Sequence, residues 1–286
     1  MPLRTALRKC PDAVFLPLDR PVYEAASKEV MATLRSLGVV VEEWGWDEAR
    51  VGMRTADPVE FARLVQATVY ERTRLRCAVG IGETRLQAKT ATGFAKPGGV
   101  AGLTRESWLP VMGAERVTAI SGIGSRIAAR LGELGIVTVA DLAASDHHEL
   151  ARYFGPTIGP YLRVLGLGGH DAPLIDEPRV PRGRSREITF ERDLTDAAEI
   201  AANVRRLAQE VAESVADLGR RITHVAVKVR TATFFTRTRS GKLAEPTTDA
   251  AVVADKALAV LARFEGGRPI RLLGVRVVLE DPSSTA

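Results

Sequence analysis

The chain has 286 residues, 45% of them apolar, and carries 40 Lys and Arg against 35 Asp and Glu for a net charge of +5, which suits two or three soluble domains with ordinary cores. No apolar run approaches a membrane span, and residues 1–9 lack the apolar stretch of a secretory signal, so composition excludes a membrane protein and places the chain in the cytoplasm. Cys10 and Cys77 have no Cys or His neighbours at ligand spacing, which excludes a disulfide framework or zinc site and reads as two buried thiols.

In chain order, the pattern predicts a strand at Val14 to Pro17, a helix from Val22 to Leu37, strands at Val39 to Trp44 and Ala49 to Met53, and a helix from Pro58 to Arg74. A strand at Arg76 to Ile81 and a helix from Thr84 to Thr92 complete an α/β layer. The turn in Trp44-Gly-Trp-Asp-Glu-Ala-Arg places Asp47 and Glu48 side by side. Like charges there do nothing for a hairpin, whereas paired oxygen donors suit Mg²⁺ and the phosphates it carries; a merely solvated Asp-Glu turn is the alternative. Lys96, before Pro-Gly-Gly, is placed to meet a triphosphate, with Lys89 adding to the same field.

Next comes Ile120-Ser-Gly-Ile-Gly-Ser-Arg, where Gly122 and Gly124 open a helix at Ser125. Bare glycine backbone followed by the unsatisfied N–H groups of a helix start makes a phosphate cradle. Ile127, Leu131 and Leu134 share one helical face, Arg126 and Arg130 lie elsewhere, and a second short helix runs from Thr138 to Leu142. This pattern is similar to a helix-hairpin-helix that grips DNA phosphates, the plain alternative being a glycine turn between core helices. A helical stretch from His147 to Leu165 follows, then a Pro-rich linker.

After the linker the predicted order is β-α-β-β-α-β: strands at Glu187 to Glu191, Thr223 to Thr231, Thr233 to Arg239 and Ile270 to Leu279, with helices at Ala197 to Leu218 and Asp249 to Phe264. Val225, Val227 and Val229 alternate with Ala226, Lys228 and Arg230, so helices cover the valine face and the basic face stays open. Arg237, Arg239 and Arg276 are assigned to that open face. Residues 178–286 hold 19 basic against 14 acidic side chains, while residues 1–177 hold 21 of each. The excess is a footprint for a polyanion or, in the simpler view, a solvated face.

Taken together, these motifs resemble the Y-family DNA polymerases of the DNA polymerase IV type, from near the first residue almost to the last. Gly45-Trp-Asp-Glu-Ala is similar to the family's Ser-x-Asp-Glu-Ala; Val79-Gly through Lys96-Pro-Gly-Gly, Ile120 to Leu142, Arg184-Ser-Arg-Glu-Ile-Thr-Phe and Ile270-Arg-Leu-Leu-Gly-Val match later signals in order. The resemblance implies an α/β (α+β multidomain) chain: end of the fingers at 1–12, incomplete palm at 13–113, helical thumb at 114–175, linker at 176–186, ferredoxin-like little finger at 187–280 and tail at 281–286.

It further implies error-prone translesion synthesis by template-directed nucleotidyl transfer, with Asp47 and Glu48 as catalytic carboxylates and Mg²⁺ ligands and Lys96 on the incoming deoxynucleoside triphosphate. DNA contacts fall to Gly122, Gly124, Ser125, Arg126, Arg186, Lys228, Arg230, Arg237 and Arg239. Met1-Pro2 matches the family's Met-Pro within the fingers, so the resemblance implies a shortened chain without the first palm strand and its metal-binding Asp. A noncatalytic polymerase-like DNA-binding accessory protein of a mutagenic repair complex is the alternative. Expected partners are primer-template DNA and deoxynucleoside triphosphates, the expected state is a monomer, and no tail of the kind that holds a sliding clamp is recognised.

Overall fold

A computed structural model describes residues 3–169, 172–177 and 180–281. The chain forms two compact units, Met1–Pro178 and Arg179–Ala286, each with its own apolar core.

In the first unit, α1 (Leu3–Lys9) precedes α2 (Arg20–Arg35), whose start is set by the Asp19 cap and Pro21. The antiparallel hairpin β1 (Val40–Glu43) and β2 (Ala49–Gly52) follows, then α3 (Pro58–Thr73), capped by Asp57. Met31 and Leu34 of α2, Val41 of β1, and Val65 and Val69 of α3 bury against one another. The strand expected at Val14 to Pro17 is irregular backbone. Its apolar residues are exposed, and alternation alone makes no strand without a partner edge.

Strand β3 (Val79–Gly82) pairs in parallel with β4 (Val100–Leu103), and α4 (Arg85–Ala95) forms the crossover. Thr84 and Gln87 form a capping box at the start of α4. A Cβ on Gly80 would lie 2.1 Å from the Ala88 carbonyl oxygen, and one on Gly82 would lie 2.4 Å from the Ala88 nitrogen. Helix and strand therefore meet backbone to backbone.

After β4 come α5 (Arg105–Met112), a 3₁₀ turn (Val117–Ala119), α6 (Ser125–Gly132), α7 (Val139–Ala144), α8 (His147–Phe154) and α9 (Ile158–Gly166). The single helix expected from His147 to Leu165 is two helices, because Gly155 adopts φ +94° and Pro156 follows. Residue 113 does not divide two cores: Ala91, Leu103 and Trp108 share one cluster with Leu131, Leu142 and Leu162. Trp108 donates its indole N–H to the Gly166 carbonyl at 2.8 Å.

The chain beyond α9 is tied back to the hairpin. Glu42, 5% exposed, pairs with Arg50 at 3.1 Å and Arg85 at 2.7 Å and accepts the Ile175 N–H at 3.3 Å. Arg85 also donates to the Pro173 carbonyl at 2.5 Å, and Gly52 leaves space for Leu174, whose Cδ1 would lie 2.9 Å from a Cβ there.

The second unit runs β5 (Gly183–Leu194), α10 (Ala197–Ala216), β6 (Ile222–Thr231), β7 (Thr236–Thr247), α11 (Ala250–Leu261) and β8 (Ile270–Leu279). The element order is the expected one. The antiparallel sheet runs β5-β8-β6-β7, a variant of the ferredoxin-like order in which the second and fourth strands are central. Strand β5 starts at Gly183, inside the stretch expected to be linker, because Arg184 to Thr189 pair with β8. Val225, Val227, Val275 and Val277 bury against Val204, Leu207 and Val211 of α10 and Val253 and Ala257 of α11. Both helices thus cover one face.

Candidate active site and nucleic-acid interface

The hairpin turn is closed by the Trp44 N–H donating to the Glu48 carbonyl at 2.9 Å, which throws residues 45–47 out of the ladder. Arg50 stacks 3.9 Å from the Trp44 ring centroid, and Arg20 lies 5.4 Å from that of Trp46. Asp47 is exposed, with no hydrogen-bond or ion-pair partner among the described residues. Glu48 is half-buried and its carboxylate pairs with the Lys89 ammonium from α4. Lys89 therefore neutralises an acid instead of standing free for a triphosphate. Lys96 ends α4 about two helical turns further on, exposed and without an ion-pair partner among the described residues.

Asp47 and Glu48 fit a hard divalent ion in kind, being adjacent oxygen donors at an open turn. Among the described residues no group of three or more His, Cys, Asp or Glu side chains is placed to hold a metal. The donor set visible here is a pair, with one member engaged by lysine.

In the helical part, only one of the two motif glycines is required by its conformation. Gly122 has φ +101°, whereas Gly124 is extended at φ −82° with open space where a Cβ would point. Gly124 is the N-cap of α6 and supplies no side-chain cap, so the first N–H groups of α6 are bare at a site flanked by the exposed Ser125 and Arg126. The element before the hairpin is a 3₁₀ turn rather than an α-helix, tied to the next loop by the Val117 N–H donating to the Val137 carbonyl at 3.0 Å. Arg130, exposed, is held in place against α8: it stacks on Phe154, 4.4 Å from the centroid, and donates to the Tyr153 carbonyl.

In the sheet, register decides which side chains share the open face. Its rows are Gly183, Val278, His224 and Lys242; then Ser185, Arg276, Ala226 and Ser240; then Glu187, Gly274, Lys228 and Thr238; then Thr189, Leu272, Arg230 and Thr236. Lys228, Arg230 and Arg276 stand where expected. Arg237 and Arg239 do not, because they oppose Val229 and Val227 and so lie on the helix-covered side. There Arg239 stacks 5.5 Å from the Phe264 ring, and Arg237 lines a pocket at the helix ends. Arg186 opposes Val275 and is likewise on the helix side, exposed at the sheet edge.

Two features of this face escaped the sequence reading. Lys242 is on it, exposed, by unbroken alternation from Thr238 and Ser240 ahead of the register shift between His224 and Ile222. Lys228 is held by Glu187, with its ammonium 2.9 and 3.0 Å from the two carboxylate oxygens. Gly274 permits this pairing across an intervening strand, since a Cβ there would come within 2.8 Å of Glu187 Cγ.

Cys10 is exposed, against the expectation of a buried thiol, whereas Cys77 is half-buried beside the α2–α3 core, where burial raises its pKa above the usual thiol value. No helix among the described residues is long and apolar enough to cross a membrane.

Two folded units, one presenting an acid pair beside lysines and the other a basic sheet face, suit a protein that handles nucleic acid. Comparison with known proteins specifies which. The impB/mucB/samB family matches residues 1–93, and the impB/mucB/samB family C-terminal domain matches residues 181–279. DNA polymerase IV 2 of Mycobacterium tuberculosis is 46% identical over 282 residues, covering 98% of this chain and 81% of the relative. DNA polymerase IV of Methanoculleus marisnigri is 34% identical over 295 residues, covering 100% and 80%. In fold, the Y-family DNA polymerase chimera Dbh-Dpo4(243-245)-Dbh superposes with a TM-score of 0.83 at 23% identity, over 97% of this chain and 82% of that one. The chain belongs to the Y-family of DNA polymerases, within its DNA polymerase IV type. The family's class of activity is DNA-directed DNA synthesis in translesion repair, and the family works with divalent metal ions.

Proposed function

We propose that this chain binds primer-template DNA and takes part in template-directed addition of deoxynucleotides across damaged sites. Asp47, projecting free from the hairpin next to Glu48, is the observation that carries the reading. A carboxylate with no internal partner, beside one already held in place, is available to a cationic ligand. Mg²⁺ held by Asp47 and Glu48 would supply the positive charge that phosphoryl transfer requires. Lys96 offers a mobile ammonium to the triphosphate, the bare N–H groups at the start of α6 contact backbone phosphate, and Lys228, Arg230, Lys242 and Arg276 form the open face toward DNA. Reading by phosphate rather than base edge suits a protein that must accept altered templates. The chain works as a monomer in the cytoplasm.

The pairing of Glu48 with Lys89, and the two-carboxylate donor set among the described residues, favour a second reading in which the chain binds DNA without extending it. Primer extension with Mg²⁺ and four deoxynucleotides, run beside duplex-binding measurements, separates the two. Incorporation that falls at least ~100-fold in Asp47→Asn, with binding retained, supports the polymerase. Intact binding with no incorporation by the unmodified chain supports the accessory role.

A further inference from the structure

The second unit carries another recognition surface, at the end of the sheet and on its helix side. Between β6 and β7 the chain turns through Phe234, which sits in the left-handed region at φ +63°. Glycine or asparagine would hold this turn with less strain, yet here a phenylalanine is 65% exposed and is followed by Phe235, 53% exposed. Neither ring serves the core. Each is instead accompanied by a guanidinium, Arg271 at 5.1 Å from the Phe234 centroid and Arg268 at 6.0 Å from that of Phe235.

Phe235 also forms one wall of a pocket of about 320 Å³. Ile200, Val229, Leu261 and Phe264 supply apolar lining, while Arg237 and Arg268 line it with charge and Glu265 is the single acid. Among the described residues neither Arg237 nor Arg268 has an ion-pair partner. Val229 faces the helices, so the pocket belongs to the helix side of the sheet rather than the face that carries Lys228 and Arg276.

We propose that this pocket docks a protein segment in which one bulky apolar side chain is flanked by acidic residues. The volume suits one such side chain, and the exposed Phe pair extends the apolar contact. The unpaired arginines select negative flanks, with Arg271 adding to their field. A convex duplex offers phosphate but no apolar projection to fill the concavity, which is why a protein segment is the better match.

The test is fluorescence anisotropy of a labelled Asp-Asp-Phe-Asp-Asp peptide titrated with the full chain. Saturable binding is expected below ~1 mM, weakened about tenfold by Arg268→Glu and lost in Thr195→Trp, which sets an indole at a residue lining the pocket. Primer-template affinity should not change in either variant, and a Ser-centred peptide of the same charge should not bind. Thermal unfolding shows whether each variant is folded; should Thr195→Trp fail to fold, Arg268→Glu and the two peptides still decide. Equal binding of both peptides, no saturation, or competitive displacement by a single-stranded oligonucleotide whose own binding falls in Arg268→Glu would overturn the proposal, the last by making this a nucleic-acid site.

Discussion

Replacing Glu187 with glutamine should tighten DNA binding, although the substitution adds no basic residue. In the folded protein Lys228 is held at 2.9 Å by the Glu187 carboxylate, with the two side chains 31% and 41% exposed. To reach a phosphate the ammonium must give up a pair worth roughly 0.2–1 kcal/mol at such exposure. The carboxylate left about 6 Å from that phosphate would repel it by a further ~0.7 kcal/mol in water. Glu187→Gln removes both costs, so the gain is about 1–1.5 kcal/mol, or roughly 5–10-fold in affinity. It also releases one more cation for phosphate contact, so the slope of log affinity against log salt should steepen by up to ~0.9. Anisotropy of a labelled primer-template at four KCl concentrations reads both quantities, and the double variant with Lys228→Gln should lose the gain. Unchanged affinity and slope in Glu187→Gln would mean that DNA does not lie on this face.

Three further outcomes follow from packing and exposure. Gly80→Ala would drive a Cβ to 2.1 Å from the Ala88 carbonyl oxygen and should destabilise the first unit by ~3 kcal/mol or more, whereas Gly93→Ala, with nothing within 4 Å, should be neutral or stabilising by up to ~1 kcal/mol; calorimetry compares them. Glu42→Gln leaves Arg50 and Arg85, 23% and 28% exposed, without their charge partner, and discounting for that exposure the cost is about 2 kcal/mol, a fall of roughly 4–8 °C in the unfolding midpoint, with faster proteolysis at residues 172–177. In reaction with a disulfide reagent at pH 8 Cys10 should be labelled first and Cys77 at least ~10-fold more slowly; because burial raises the Cys77 pKa, its thiolate forms late and its rate should go on climbing as pH rises above the usual thiol range.

The valines of β6 and β8 show how much of this fold is legible in sequence. Their alternation specified the buried face, and α10 and α11 cover it as that pattern requires. Strand β7 was harder, because its face depends on where the preceding turn ends. The turn runs through Phe234 in a conformation that phenylalanine rarely adopts, β7 begins at Thr236, and parity then sends Arg237 and Arg239 to the helix side. Strand β4, four residues long, and helix α5 behind it carry too little pattern to be seen without the parallel edge of β3. At the candidate site the Asp-Glu pair was legible as chemistry, since two acids at a hairpin ask for a reason. The pairing of Glu48 with Lys89, 41 positions away, obeys no spacing rule, and neither does the hold of Glu187 on Lys228 across Gly274.

The contact of β3 with α4 through Gly80 and Gly82 bears on how this site can diverge. Proteins commonly shift a helix by small exchanges in the side-chain layer beneath it, each absorbed by neighbouring rotamers. Beneath Ala88 that layer is missing: strand backbone supports helix backbone, and there is nothing to repack. The helix that carries Lys89 toward Glu48 therefore has a fixed seat. Descendants of this chain can retune the acid pair by changing residues 48 and 89 themselves, but the strand below gives them no gradual route to moving the helix.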